Sequence, residues 1–137
     1  MRVTVLLSVL GLLSAGPCLA EVDPVAARTV VVVRHAEKDA GGGPDPGLTA
    51  VGVARAEALD RAVADLDVVA LISTPLRRTR DTLAPIVRRT GLRIREVAPD
   101  GDHVAAVLRE IERCPPGVVL VSGHSNTVPA IVAALSG

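Results

Sequence analysis

The chain has 137 residues, which is enough for one small domain. Its 15 Lys and Arg residues balance 15 Asp and Glu residues, so nothing in the charge points to nucleic acid or a membrane surface as a partner. Phe, Tyr and Trp are absent, which removes the flat side chains that stack on single-stranded nucleic acid, whereas 49% hydrophobic residues suffice for an aliphatic core.

The first 20 residues have the pattern of a secretory signal peptide. Arg2 supplies a positive charge, and the apolar run at 3–13 is shorter than the roughly 20 residues of a comfortable membrane span. Cys18 and Ala20 fit the two positions that a signal peptidase reads, so we expect cleavage after Ala20 and an exported protein, periplasmic or extracellular, with no stable membrane insertion. A lipid anchor at Cys18 and a retained anchor helix are the less favoured alternatives. Cleavage would leave Cys114 as the only thiol, so no internal disulfide is expected.

Residues 21–28 are interpreted as a linker, and 29–137 as one domain in which strand and helix patterns alternate. Aliphatic, β-branched runs indicate buried strands, and apolar residues at helical spacing indicate helices. The predicted strands cover 29–33, 68–72, 92–97 and 118–121, and the predicted helices cover 49–64, 76–90, 102–113 and 125–135. Pro85 is expected to kink the second helix and Gly91 to end it. The alternation predicts an α/β fold with a mostly parallel sheet covered by helices on both faces.

Polar residues that could do chemistry follow three of the predicted strands at once. Arg34 and His35 follow the first strand, residues 73–78 follow the second, and residues 123–125 follow the last. Because ligands bind at the carboxyl ends of parallel strands, these three groups are expected to meet at one edge of the sheet. The glycine before His124 lets the backbone approach a ligand, and the helix that follows offers free N–H groups to an anion.

Together these residues predict a phosphate site. A phosphoryl dianion needs several fixed positive donors, which arginine and charged histidine supply, and a neutral imidazole can act as a nucleophile that forms a phosphohistidine. Taken singly, each group is more often an ordinary surface feature, and Arg77, Arg78 and Arg80 would by default form a solvated helix face. No set of side chains has metal-ligand spacing, so neither a metal nor another cofactor is expected. His103 is interpreted as a surface residue.

Four stretches resemble motifs of the histidine phosphatase superfamily, in its phosphoglycerate mutase-like branch and in a small, insertion-poor form. They are VVVRHAEK at 31–38, LTAVG at 48–52, STPLRRTRDT at 73–82 and VSGHSN at 121–126. The resemblance implies a three-layer sandwich of the phosphoglycerate mutase-like type. The sequence stops soon after its last predicted helix, which leaves open whether the family's final strand is present.

The resemblance also assigns roles to individual residues. His35 becomes the nucleophile and His124 the second catalytic histidine, while Arg34 and Arg78 bind phosphate; Arg78 is preferred to Arg77 on this match alone. His35 is expected to be neutral because nearby cations disfavour its protonation. His124 is expected to be protonated while it stabilises charge on the phosphate oxygens during the attack. These roles imply a metal-independent phosphatase of the histidine acid type, acting on a small-molecule or surface phosphomonoester through a phosphohistidine.

Departures from the family leave two questions open. The residues after His35 differ from those of the mutases, so mutase activity is not expected. The insertion that often carries the proton-donating acid is missing, and Glu37, Asp100 and Asp102 are the candidates for that acid. The alternative functions are a phosphohistidine-protein phosphatase, against which the export signal argues, and a non-catalytic phosphate-binding domain. The sequence indicates neither a particular substrate nor an oligomeric state.

Overall fold

The computed structural model describes residues 27–137, so the expected signal peptide and most of the linker lie outside the described residues. Four strands and four helices alternate along this part of the chain. They are β1 (Arg28–Arg34), α1 (Ala50–Ala62), β2 (Val68–Ser73), α2 (Arg77–Thr90), β3 (Ile94–Glu96), α3 (His103–Glu112), β4 (Gly117–Gly123) and α4 (Thr127–Ser136). The predicted α/β class is confirmed, and every predicted boundary lies within two residues of the observed one.

The four strands form one parallel sheet in the order β1-β4-β2-β3. β1 pairs with β4 along its whole length, from Arg28 opposite Gly117 to Arg34 opposite Gly123. β4 therefore lies between β1 and β2, and the carboxyl ends of these three strands are adjacent. Because the sheet is parallel, the polar residues that follow the three strands emerge side by side at one edge.

The two faces of the sheet carry separate hydrophobic cores, as expected from side chains that alternate along each strand. On one face Ile72 of β2 and Val121 of β4 belong to a cluster that includes residues of α3 and α4. On the other face Leu71 and Leu120 belong to a cluster that includes residues of α1 and α2. All of these side chains are aliphatic and essentially inaccessible to solvent. Helices therefore cover both faces, and the predicted three-layer arrangement is confirmed.

A backbone hydrogen bond and a close backbone contact hold the loop after β1 against the start of α1. The backbone N–H of Thr49 donates to the carbonyl of Glu37 at 2.8 Å, and the Thr49 hydroxyl caps α1 by accepting from the backbone N–H of Gly52 at 3.1 Å. A side chain at Gly52 would collide with the Glu37 carbonyl, so only glycine allows this close approach.

Gly91 ends α2 with φ of 71°, as predicted, and α2 continues through Pro85.

Cys114 is buried, has a free thiol and belongs to the core on the α3 and α4 side of the sheet. Its Sγ donates to the carbonyl of Glu110 at 3.1 Å. This placement agrees with a packing role for the side chain. Between residues 27 and 137, no helix combines the length and the apolar character that crossing a bilayer requires.

Candidate active site

His35 stands at the carboxyl end of β1 with its ring orientation fixed by backbone. Its N–H donates to the carbonyl of Gly123 at 2.9 Å, which continues the pairing of β1 with β4. Its Nδ1 lies 2.7 Å from the carbonyl oxygen of Ala36, which can only accept, so Nδ1 carries a proton and Nε2 of the neutral ring carries the lone pair. The Ala36 N–H is in turn held by the Thr82 hydroxyl at 2.9 Å. The fold therefore presents an imidazole whose Nε2 has an unused lone pair and can act as a nucleophile.

His124 occupies the equivalent position after β4 and is buried, with 9% of its surface exposed. Its ring meets that of His35 edge to face, with the two centroids 5.4 Å apart. Its backbone N–H donates to the hydroxyl of Thr127 at 2.9 Å, and its Nε2 lies 3.1 Å from the hydroxyl of Thr74, which follows β2. Groups from the ends of β1, β2 and β4 thus converge as the sheet order requires.

Arg78 lies in the first turn of α2, and its side chain is only 16% exposed. Its charge lowers the pKa of both His35 and His124. Nη1 lies 4.0 Å from Asp45, and Nε is buried without a hydrogen-bond partner among the described residues. A buried charged donor left unpaired is costly, so a ligand anion would stabilise this side chain. The neighbouring Arg77 is exposed.

The residues that follow β1 open onto a cleft of about 440 Å³. It is lined by Arg34, His35, Ala36, Glu37, Lys38 and Arg55. Glu37 accepts two hydrogen bonds from Nε of Arg55, at 2.8 and 2.9 Å, which leaves the cleft with an excess of positive charge. Arg78 and His124 do not line this cleft but lie close to the His35 ring that does. The arrangement fits an anion held against His35, with room beside it for the remainder of an ester.

The environment lowers the pKa of both imidazoles. For His35 burial is the largest cause; the bond to Ala36 opposes it, and the charges of Arg78, Arg34 and Lys38 add to the lowering. Nearby cations were expected to keep this ring neutral, and they contribute less than burial does. The pKa of His124 is lowered to about 4, mainly by burial and then by the charges of Arg78, His35 and His103.

The expected protonated form of His124 concerns the step in which phosphate is bound, and the unliganded protein differs from it. With a pKa of about 4, its ring is neutral at pH 7. The physical reason is desolvation beside a guanidinium, which disfavours a second positive charge. A phosphate dianion bound next to the ring would favour the charged form and raise this pKa again.

The lowered pKa of His124 predicts a specific loss of stability in acid. The unfolded chain protonates this ring near pH 6.5 and the folded protein only near pH 4, so between these values the unfolded state binds more protons and stability falls as the pH falls. At pH 5 the loss relative to pH 8 is about 2 kcal/mol. In urea titrations at both pH values, the free energy of unfolding of the unsubstituted chain should drop by about that much more than that of His124→Gln. Equal drops would contradict the assignment.

His103 is buried, with 4% of its surface exposed, so its interpretation as a surface residue is wrong. Its Nδ1 donates to the carbonyl of Ala98 at 2.9 Å, and its charge would disfavour protonation of His124. The reason lies in helix geometry: His103, Val107 and Ile111 are spaced by four and form the buried face of α3. That spacing was visible in the sequence. All three histidines of the chain consequently lie at the same edge of the sheet.

The three predicted proton donors are separated by the fold. Only Glu37 lies beside His35, and its hydrogen bond from Arg55 lowers its pKa, so it is ionised near neutral pH. Asp100 and Asp102 line another cleft on the β3 side, where Asp102 pairs with Arg109 at 2.8 Å. Sequence reasoning also missed Asp45, whose carboxylate lies close to Arg78. Asp45 is in the loop rich in Gly and Pro, where no motif spacing marks it.

Residues 30–99 match the model of the histidine phosphatase superfamily, branch 1. The chain belongs to the histidine phosphatase superfamily. Among curated proteins, it is 43% identical over 77 residues to "Uncharacterized protein Rv0525" of Mycobacterium tuberculosis, a match that covers 52% of this chain and 38% of the relative. The chain thus spans well under half the length of the curated relatives it matches.

Solved histidine phosphatase structures share the fold. A SixA protein from Nakamurella multipartitia, named as a candidate phosphohistidine phosphatase, superposes with a TM-score of 0.64 at 33% identity, covering 80% of this chain and 66% of its own. The corresponding protein from Agrobacterium tumefaciens gives 0.61 at 25% identity, covering 79% and 76%. A mycobacterial glucosyl-3-phosphoglycerate phosphatase, Rv2419c, in complex with VO3 gives 0.64 at 22% identity, covering 80% of each chain, and supports the fold alone.

Proposed function

We propose that this protein is a metal-independent phosphomonoesterase that attacks phosphorus with Nε2 of His35 and binds the phosphate with Arg34 and Arg78. The observation that carries the proposal is the 2.7 Å contact between Nδ1 of His35 and the carbonyl of Ala36, which fixes the proton on Nδ1 and leaves the lone pair on Nε2. The charges of Arg78 and Arg34 act on the same ring. Membership of the histidine phosphatase superfamily supports the same chemistry. Inorganic phosphate and an alcohol would be the products.

The proposed reaction has two steps. In the first, the Nε2 lone pair of neutral His35 forms a bond to phosphorus as the bond from phosphorus to the leaving alkoxide breaks, and Arg34 and Arg78 stabilise charge on the equatorial oxygens. A solvent water supplies the proton that the alkoxide needs, because Glu37 is held ionised by Arg55. The hydroxide that remains takes up the proton released when the second water attacks. In the second step water attacks the phosphohistidine, which releases phosphate and restores the imidazole.

His124 contributes a hydrogen bond to the phosphate in this scheme. Its ring is neutral before substrate binds and gains a proton when a dianion raises its pKa. His35, whose pKa is also lowered, keeps its neutral, nucleophilic form to a lower pH than an ordinary histidine does. Both properties would favour activity in weakly acidic solution, and they support the part of the proposal that assigns the histidine acid type.

Location and substrate class are further parts of the proposal. The signal-like pattern at 1–20 supports export, with a small-molecule or surface phosphomonoester as substrate. The net positive charge around the 440 Å³ cleft favours an ester that is anionic beyond its phosphate. A panel of sugar phosphates, nucleotides and phosphohistidine peptides would rank these classes by kcat/KM.

Hydrolysis of p-nitrophenyl phosphate in the presence of EDTA tests the proposed mechanism. Within the part of the chain that the structure covers, no cluster of three or more His, Cys, Asp and Glu side chains is arranged to hold a metal ion. We expect the rate to be the same with and without the chelator. Activity that disappears in EDTA and returns with a divalent cation would place the protein in another class. Vanadate binding with no release of phosphate from any ester would instead favour a non-catalytic phosphate-binding domain.

A further inference from the structure

Two buried hydroxyl groups connect the start of α2 to the ring of His124. The side chains of Thr74 and Thr79 are both 0% exposed. The Thr74 hydroxyl lies 3.1 Å from Nε2 of His124 and 2.7 Å from the hydroxyl of Thr79. The proposed reaction uses neither threonine.

The donor and the acceptor in each of these contacts can be assigned in only one way. The Thr79 hydroxyl lies 2.8 Å from the carbonyl of Leu76 and 3.1 Å from that of Thr74, and carbonyls only accept, so Thr79 donates its single proton there. It can then only accept from Thr74, and Thr74 can only accept from Nε2–H of His124. The reverse order would leave two oxygen lone pairs facing each other at 2.8 Å with no proton between them.

We infer that Thr74 and Thr79 are positioning residues that hold His124 in the tautomer with the proton on Nε2 and the lone pair on Nδ1. Nδ1 makes no hydrogen bond to any part of the chain that the structure describes. His35 is held in the opposite tautomer by Ala36. The two rings of the site, 5.4 Å apart, therefore carry their protons on different nitrogens.

The tautomer has a consequence for phosphate binding that rests on the proposed function. Because Nε2–H is committed to Thr74, His124 can donate to a phosphate only through Nδ1, which must first take up a proton. The charged and titratable groups that act on this ring are Arg78 from α2, His35 after β1 and His103 from α3. All three disfavour the charged ring, so the anion itself has to drive the uptake. Phosphate binding and protonation of Nδ1 are thus coupled.

Long-range ¹H–¹⁵N spectra of the histidine rings in the full chain at pH 7.5 test the inference. The chain has only three histidines, so His124→Gln and His103→Gln assign the signals. In the unsubstituted protein we expect a protonated, pyrrole-type Nε2 and a pyridine-type Nδ1 for His124, and the reverse for His35. Adding inorganic phosphate should convert Nδ1 of His124 to the protonated type.

Three threonine variants supply the controls. Thr74→Ser keeps the acceptor and should keep the tautomer. Thr74→Val removes the acceptor, and Thr79→Val frees the Thr74 proton to bond Nε2, so both should move the proton of His124 to Nδ1. A proton on Nδ1 in the unsubstituted protein, or an unchanged tautomer in both valine variants, would overturn the inference. The unliganded spectra need no turnover, so an inactive protein with the expected tautomers would defeat the proposed function and leave this inference standing.

Discussion

Replacing His35 with alanine is expected to lower kcat for an aryl phosphate by about 10⁴-fold or more. The substitution removes the only imidazole nitrogen at the site whose lone pair is left free by a fixed tautomer and faces the cleft. His124 is no substitute, because its ring is buried and bonded to Thr74. Initial rates with p-nitrophenyl phosphate at saturating concentration give the comparison.

The matched control for the nucleophile is His103→Gln. This histidine is more deeply buried than His35 and does not line the cleft beside it. Glutamine can still donate to the carbonyl of Ala98. We expect its kcat to remain within a few-fold of the unsubstituted value. Full activity in His35→Ala would show that the attacking atom lies elsewhere and would end the proposed mechanism.

Arg78→Ala is expected to lower kcat/KM by on the order of 100-fold, equivalent to about 3 kcal/mol of transition-state stabilisation, while leaving measurable turnover. The guanidinium charge acts on both imidazoles, and its buried Nε–H has no partner in the described chain. Lysine should restore little of the activity, because its point charge does not reproduce the planar fork. Since the charge of Arg78 lowers the pKa of His35, its loss should also move the acid limb of the pH profile to higher pH.

Arg77→Ala is the natural control for this arginine, because it precedes Arg78 in α2 and its side chain is exposed. We expect kcat/KM of Arg77→Ala within a few-fold of the unsubstituted value. A larger loss in Arg77→Ala than in Arg78→Ala would show that the phosphate-binding arginine had been assigned to the wrong residue. Kinetics of both variants and of the unsubstituted chain at three pH values would also measure the shift of the acid limb.

Much of the fold could be predicted because its signals are local. A run such as Val30–Val33 is β-branched, and such a run favours a buried strand wherever it occurs. The alternation of strands and helices then requires parallel pairing, and parallel pairing brings the ends of β1, β2 and β4 to one edge. Gly91 ended α2 as predicted because a left-handed residue there suits glycine. These inferences need only neighbours in sequence.

Other properties depend on packing between distant segments. The interpretation of His103 as a surface residue is wrong, although its spacing from Val107 indicates the buried face of α3. The neutral state of His124 in the unliganded protein is not visible in the sequence, since desolvation and the influence of the Arg78 charge arise only in the folded chain. The separation of Glu37 from the aspartates near residue 100 likewise follows from strand order and not from motif spacing.

Trapping the phosphorylated protein identifies the residue that attacks phosphorus most directly. The full chain would be mixed with excess aryl phosphate, quenched within milliseconds in alkali, which preserves phosphohistidine, and mapped by mass spectrometry. One acid-labile phosphate on His35, absent from His35→Ala, is the predicted result. Phosphate on any other residue, or turnover with no covalent phosphate at any time point, would contradict the account.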